Sequence, residues 1–317
     1  MEKRRIRTGV VGVGRMGRHH ARIYATHPSS QFIGVFDIHR EKCQAIADEY
    51  HAKAFPTLEA LLSEVDAITI AVPTSLHSTV CRTTFERGIH ALIEKPIAST
   101  LEEARDIVST AQKNKTISQI GHVERFNSAF QKLVELTKDR IPLTVDAVRK
   151  GPPIPRANDV SVVLDLMIHD IDIIFSIIKG NIERFSAIGR AIHTPTLDYA
   201  TAQLQFTHGP VINLIASKIT PQRERRLTAN YGNFCYEVNF IDSTLRKWSI
   251  DPDSDAGRPE THEEAIPLKP VEPLYMEADM FLDSILNNRP SPLSAEFGLK
   301  VLETALSIEF LALKQQI

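Results

Sequence analysis

The run Gly12-Val13-Gly14-Arg15-Met16-Gly17 constrains this chain more than any other feature. Three glycines at that spacing are common by themselves. Here they follow a short apolar, β-branched run beginning near Ile6 and open a segment, Met16 to Thr26, that reads as a helix. Such a strand-to-helix turn has a separate use for each glycine. Gly12 permits the tight turn, Gly14 lets the backbone approach a pyrophosphate, and Gly17 lets helix and strand pack closely. The helix N-terminus, with Arg15 and Met16 beside it, adds N–H groups and the positive end of a dipole. Asp37 closes the next apolar run about twenty residues past Gly17. A carboxylate there accepts hydrogen bonds from a ribose 2′-OH and repels a 2′-phosphate. The pattern therefore predicts a site for NAD rather than NADP. Arg40 stands against this, since an arginine there could accommodate a 2′-phosphate. More often such an arginine lies along the adenine or faces solvent.

Strand and helix signals alternate through the first 120 residues. Gln31 to Asp37, Asp66 to Val72, His90 to Glu94 and Ile117 to Gly121 read as buried strands. Arg40 to Tyr50, His77 to Arg87 and a segment from Ser99-Thr100-Leu101-Glu102-Glu103 to Asn114 read as helices, the last opened by a capping box. This order predicts an α/β fold with a parallel sheet covered on both faces. Ligands of such sheets bind outside the carboxyl ends of the strands. That edge receives Pro73, Thr74, Glu94, Lys95 and His122, with His77 opening the helix after Pro73.

The second half has a different grain. A helix is expected from Asn127 to Thr137, a strand from Leu143 to Arg149, and a mostly buried helix from Leu164 to Ile178. Ala200, Ala202, Leu204 and Phe206 alternate with polar residues, as do Phe234, Tyr236, Val238 and Phe240. That period of two marks an open, largely antiparallel sheet. Glu272 to Asn287 and Ala295 to Gln315 read as closing helices. The expected division is 1–121 for the cofactor and 122–317 for substrate binding and oligomerisation.

A length of 317 residues suits two domains. With 37 Lys+Arg against 39 Asp+Glu the chain lacks the basic excess of a nucleic-acid binder. Cys43, Cys81 and Cys235 form no C-x-x-C pair, so reduced thiols are expected rather than a disulfide framework. No apolar run approaches the ~18 residues of a membrane span, and Met1 to Ile6 lacks a signal-peptide core. A cytoplasmic protein is expected.

The chemistry centres on Glu94-Lys95-Pro96 and on Asp165 and His169, four residues apart and on one face of the expected helix. Together they offer a proton acceptor, an orienting carboxylate and a cation, which is the equipment for oxidising an alcohol beside a nicotinamide. The Lys95-Pro96 bond is a candidate cis peptide. His169, Asp170 and Asp172 could suggest a metal site, but successive helix residues do not share a face, and no metal is expected.

These motifs, with the glycine run and the order of elements, resemble the glucose–fructose oxidoreductase / inositol dehydrogenase / MocA family. The resemblance implies a Rossmann-like domain followed by an α+β domain. It also implies oxidation of a sugar-ring hydroxyl, with Lys95, Asp165 and His169 lining the pocket. His169 would be the base, with Lys95 an open alternative. Gly121-His122-Val123-Glu124-Arg125-Phe126-Asn127 and Val162 to Asp172 are most similar to members that oxidise C3 of UDP-N-acetylglucosamine, whose product a partner aminotransferase uses for lipid A. That similarity brings in Arg125. A UDP-sugar diphosphate needs cations, and Arg149, Lys150 and Arg156 are candidates. Family members pair their open sheets, so a homodimer or homotetramer is expected. An inositol or hexose dehydrogenase, a glycosidase using transient oxidation and a non-catalytic NAD-sensing regulator are the alternatives.

Overall fold

The computed structural model describes residues 4–138, 140–153, 160–207, 209–251 and 260–314. The chain forms two compact units. The first holds Met1–Val123 and Glu272–Leu302, the second Glu124–Val271 and Glu303–Ile317.

The first unit opens with β1 (Ile6–Val11), α1 (Arg15–Thr26), β2 (Ser30–Phe36), α2 (Arg40–Glu49), β3 (Lys53–Ala54) and α3 (Leu58–Leu62). It continues with β4 (Ala67–Ile70), α4 (His77–Phe85), β5 (His90–Glu94), α5 (Leu101–Lys113) and β6 (Ser118–Gly121). The strands form one parallel sheet in the order β3-β2-β1-β4-β5-β6. Val10, Ile68, Ile70, Leu92 and Ile93 are fully buried, as strands covered on both faces must be. Thr100 and Glu103 close the expected capping box on α5.

The later helix α8 (Pro273–Leu286) belongs to this unit as well. Leu274, Ala278, Phe281 and Leu282 join Ile6, Val10, Ala21 and Tyr24 in one apolar cluster. Helical periodicity shows that a segment buries a face but carries no signal for which core receives it. The structure therefore differs from the expected cut at Gly121, after which everything was assigned to one domain. Polar contacts knit the return: the Gln119 side chain donates to the Glu277 carbonyl at 2.8 Å and accepts from the Ser291 hydroxyl at 2.7 Å.

The second unit contains α6 (Ser128–Leu136), β7 (Thr144–Lys150) and α7 (Ile168–Ile177), then β8 (Ile182–Arg190), β9 (Tyr199–Phe206), β10 (Val211–Ser217), β11 (Glu224–Asn230), β12 (Phe234–Asn239), β13 (Thr244–Asp251) and β14 (Glu260–Ile266). The closing helix α9 (Ala295–Lys314) counts with this unit from Glu303 onward. The sheet order is β14-β13-β12-β11-β7-β10-β9-β8, antiparallel except for β7 beside β10. The expected alternation holds in β9, where Ala200, Ala202, Leu204 and Phe206 are buried. The helix expected from Leu164 to Ile178 is broken in kind. Val163–Met167 is a π turn, and regular α-helix begins at Ile168. Among the described residues no helix is long and apolar enough to cross a membrane.

Asp198, just before β9, fixes the loop ahead of it. Its Oδ2 accepts from the N–H groups of Ile192, His193 and Thr194 at 2.7, 2.6 and 3.0 Å. Its Oδ1 accepts from the Thr194 hydroxyl at 2.8 Å. Burial opposes the charge, but these donors outweigh it and hold the carboxyl at a pKa of about 2. A depressed folded pKa contributes stability that is complete above the unfolded value of about 3.9 and is lost as pH falls through the folded value. Asp198→Ala is expected to cost about 1–3 kcal/mol at neutral pH. In urea titrations the gap between variant and wild type should narrow on acidification from about pH 5 towards pH 2. A gap that stays constant across that range would show that the carboxylate charge is not what holds the loop.

Candidate functional site

In the first unit the glycine run follows β1 directly. Gly12 has φ +86°, and a Cβ there would stand 2.7 Å from the Ala71 carbonyl oxygen. A Cβ on Gly17 would stand 1.8 Å from the Gly12 carbonyl oxygen, so only glycine lets α1 start so close to the turn. Around Gly14, apart from its own chain neighbours, no protein atom lies within 4 Å of where a Cβ would be. Two glycines are thus required by the protein's own packing, while the third leaves backbone open to a visitor.

Asp37 lies at the carboxyl end of β2. Its Oδ2 accepts from the Val13 N–H at 2.7 Å and its Oδ1 from the His39 N–H at 2.8 Å. Each oxygen retains acceptor capacity for a hydroxyl. Gly12, Gly14, Asp37 and Pro73 share the walls of a cleft of about 370 Å³. Ile38, Lys42 and Leu76 line it too, and sequence reasoning passed over them. Ile38 is 81% exposed. An isoleucine stranded in water at a strand end, beside the ribose-type carboxylate, was the available signal. The open backbone, the carboxylate and the apolar rim fit a dinucleotide. Arg15 and Arg40 are exposed at the first residues of α1 and α2, and Met16 is half-buried. None of these three lines the cleft, nor do Thr74, His77, Glu94 and His122.

Glu94 ends β5 buried, with Oε1 3.0 Å from His20 Nε2 on α1. Its Oε2 accepts from the Lys95 N–H at 3.3 Å. Burial pushes this carboxyl up, but His20 and Lys95 prevail and hold it below the usual range, so it stays anionic. The Lys95–Pro96 bond is cis. His77, expected to face the cofactor, is buried among backbone carbonyls. Nε2 lies 3.0 Å from the Val72 oxygen, and Nδ1 lies 3.1 Å from that of Pro96 and 3.3 Å from that of Ile97. Burial lowers its pKa. His77 thus ties the end of β4 to the loop after β5. Pro73 and Thr74 open the short turn before it, and His122 is buried directly after β6.

In the second unit Asp165 sits in the π turn and His169 in the first turn of α7. Lys218, after β10, places Nζ 3.4 Å from Asp165 Oδ2 and donates to the Val160 carbonyl at 2.6 Å. Sequence reasoning missed Lys218, which stands in no motif.

The other expected cations behave differently. Arg149 is buried, and its guanidinium grips Asp170 through Nε and Nη2 at 2.9–3.2 Å and Glu124 through Nη1 at 2.6 Å. Burial disfavours the cation, but the two carboxylates hold its pKa above the ordinary arginine value. Arg149 thus stands in an interior cluster with both carboxylates as partners. Arg125 is matched likewise, with Nε and Nη2 each 3.0 Å from the Asp172 carboxylate. These pairings also account for Asp170 and Asp172, which lie beside His169 in sequence. Lys150 pairs with Glu224 at 3.4 Å. Arg156 lies outside the described residues.

Comparison with known proteins fits this geometry. Residues 6–122 match the model of an oxidoreductase family with an NAD-binding Rossmann fold, and residues 149–236 match the GFO/IDH/MocA C-terminal domain. The chain is 36% identical over 96% of its length to UDP-N-acetylglucosamine 3-dehydrogenase of Acidithiobacillus ferrooxidans, covering 96% of that protein. The chain belongs to the GFO/IDH/MocA oxidoreductase family. A solved structure of that dehydrogenase superposes with a TM-score of 0.91 over 97% of both chains. Levoglucosan dehydrogenase in complex with NADH shares the family fold, with a TM-score of 0.86 at 16% identity over 98% of both chains. Another relative, scyllo-inositol 2-dehydrogenase of Bacillus subtilis, is 24% identical over 68% of each chain. This family member is therefore an oxidoreductase of the dehydrogenase type, with NAD as cofactor.

Proposed function

We propose that this chain oxidises the C3 hydroxyl of UDP-N-acetylglucosamine to the 3-oxo sugar nucleotide with NAD⁺. The observation that carries this reading is the 36% identity to a UDP-N-acetylglucosamine 3-dehydrogenase, which runs through both units and 96% of each chain. Gly12, Gly14, Gly17 and Asp37 are the residues to hold the dinucleotide, with Asp37 on a ribose diol. When bound, NAD⁺ supplies the acceptor for the hydrogen and electron pair that leave the carbinol carbon. The remaining work falls to the chain. His169 takes the hydroxyl proton as general base. Asp165 orients His169 and favours its charged form. Lys95 donates to the same oxygen and stabilises alkoxide character. His122 and Glu94 bound the nicotinamide end, and the second unit, Glu124–Val271 with Glu303–Ile317, supplies substrate binding and oligomerisation. The proposed setting is the cytoplasm, with a homo-oligomer formed through the open sheet and an aminotransferase that consumes the product for lipid A.

The test is NADH absorbance with NAD⁺ and UDP-N-acetylglucosamine, with the aminotransferase and glutamate present to draw off product. NADH formed with this sugar nucleotide, and not with inositol or free hexoses, is the expected result. Activity with a free polyol alone would overturn the substrate. Silence with all of them would favour a glycosidase or a regulator.

A further inference from the structure

Within the second unit β7 and β11 run antiparallel, and Arg149 stands directly opposite Arg225. Two cations so placed repel unless carboxylates separate them. One oxygen of Glu124 serves both, at 2.6 Å from Arg149 and 3.4 Å from Arg225. Arg149 takes the short contact and holds Asp170 as well. Arg225 is left with the long share.

The consequence shows in its electrostatics. Arg7, Arg18, Arg22, Arg82 and Arg149 are all raised by carboxylate partners. Arg225 is instead pushed down, first by burial and then by the charge of Arg149, with Arg223 adding to the effect. Neighbours pointing the other way are neutralised: Glu224 pairs with Lys150 and Arg226, and Glu237 with Arg226. Arg223 is exposed at the end of β7, its Cγ 3.6 Å from where a Cβ on Gly151 would be. No carboxylate among the described residues pairs with it. Two under-compensated arginines thus stand one strand away from the Arg149–Asp170 clamp beside His169.

We propose that Arg225, seconded by Arg223, is the seat of the nucleoside diphosphate of the substrate. The proposal rests on the sugar-nucleotide reading above. An incoming diphosphate supplies the negative charge this cluster lacks. A guanidinium matches phosphate oxygens with paired N–H donors, and the proposal replaces Arg149 in the role that the sequence pattern suggested for it.

The test measures UDP and uridine binding by calorimetry on the NAD⁺-loaded protein, as wild type and as Arg225→Met. Loss of one charge-assisted arginine–phosphate contact should weaken UDP about 10- to 100-fold. Uridine should change less than twofold, and Arg225→Lys should restore part of the loss. A UDP affinity within twofold of wild type in Arg225→Met, or an equal loss for uridine, would overturn the seat. So would failure of wild type to bind UDP. If Arg225→Met loses its fold by circular dichroism, Arg223→Met takes its place. A threefold or greater loss of UDP affinity there supports the seat, and a smaller one refutes it. Because binding is read without turnover, the two ideas fail separately. UDP that binds through Arg225 without NADH formation from UDP-N-acetylglucosamine would sink the substrate reading alone. Turnover with an unaffected Arg225→Met would sink the seat alone.

Discussion

His169→Ala is expected to lower kcat by about 10²–10⁴, the usual contribution of a positioned general base. The affinity for NAD⁺ should stay within twofold, because Gly12, Gly14, Gly17 and Asp37, and not His169, are the residues proposed to hold the dinucleotide. The pH profile separates His169 from Lys95. If His169 takes the proton, wild-type kcat/KM falls on the acid side as the base protonates, and that limb vanishes in His169→Ala. A limb that survives in the variant would pass the role to Lys95. Unchanged turnover would remove His169 from the mechanism.

The second large effect concerns two glycines with opposite reasons for being glycine. In Gly17→Ala the new Cβ has no room, at 1.8 Å from the Gly12 oxygen. The slight helix-propensity gain of alanine cannot offset that overlap. The turn must shift, at about 1–3 kcal/mol or more of stability, with loss of NAD⁺ affinity. In Gly14→Ala the Cβ meets no protein atom within 4 Å apart from its own chain neighbours. Thermal stability should stay near wild type while NAD⁺ affinity falls, because the methyl occupies ground meant for the pyrophosphate. Calorimetry for Tm and for NAD⁺ binding reads both. A Gly14→Ala protein that binds NAD⁺ normally would mean that the dinucleotide takes another path.

The glycine run was legible because its requirement is local. A positive φ and a forbidden Cβ leave one residue type, and their spacing is set by a single turn. The long parallel strands were legible because burial on both faces leaves continuous apolar runs. The short β3 and α3 were not, since two and five residues are too few to show a period. The π turn at Val163–Met167 escaped for a related reason: one widened turn shifts the apolar pattern too little to see. The pairing of Arg149 was not legible because a buried arginine and a solvated one are the same letter. Its partners Glu124 and Asp170 are 25 and 21 residues away in sequence, and only the folded chain brings them together.

The return of α8 to the first unit has a bearing on how the protein is made. Leu274, Ala278, Phe281 and Leu282 complete a core whose other members lie before Val123. A ribosome must therefore finish everything from Glu124 to Val271 before that core can close. At about 5–20 residues per second this is roughly 7–30 s during which the nascent sheet keeps a bare apolar flank. The amino-terminal half cannot be matured and set aside before the rest is synthesised. Its completion waits on α8, which emerges only after Val271, and that interval is when a chaperone would find something to hold.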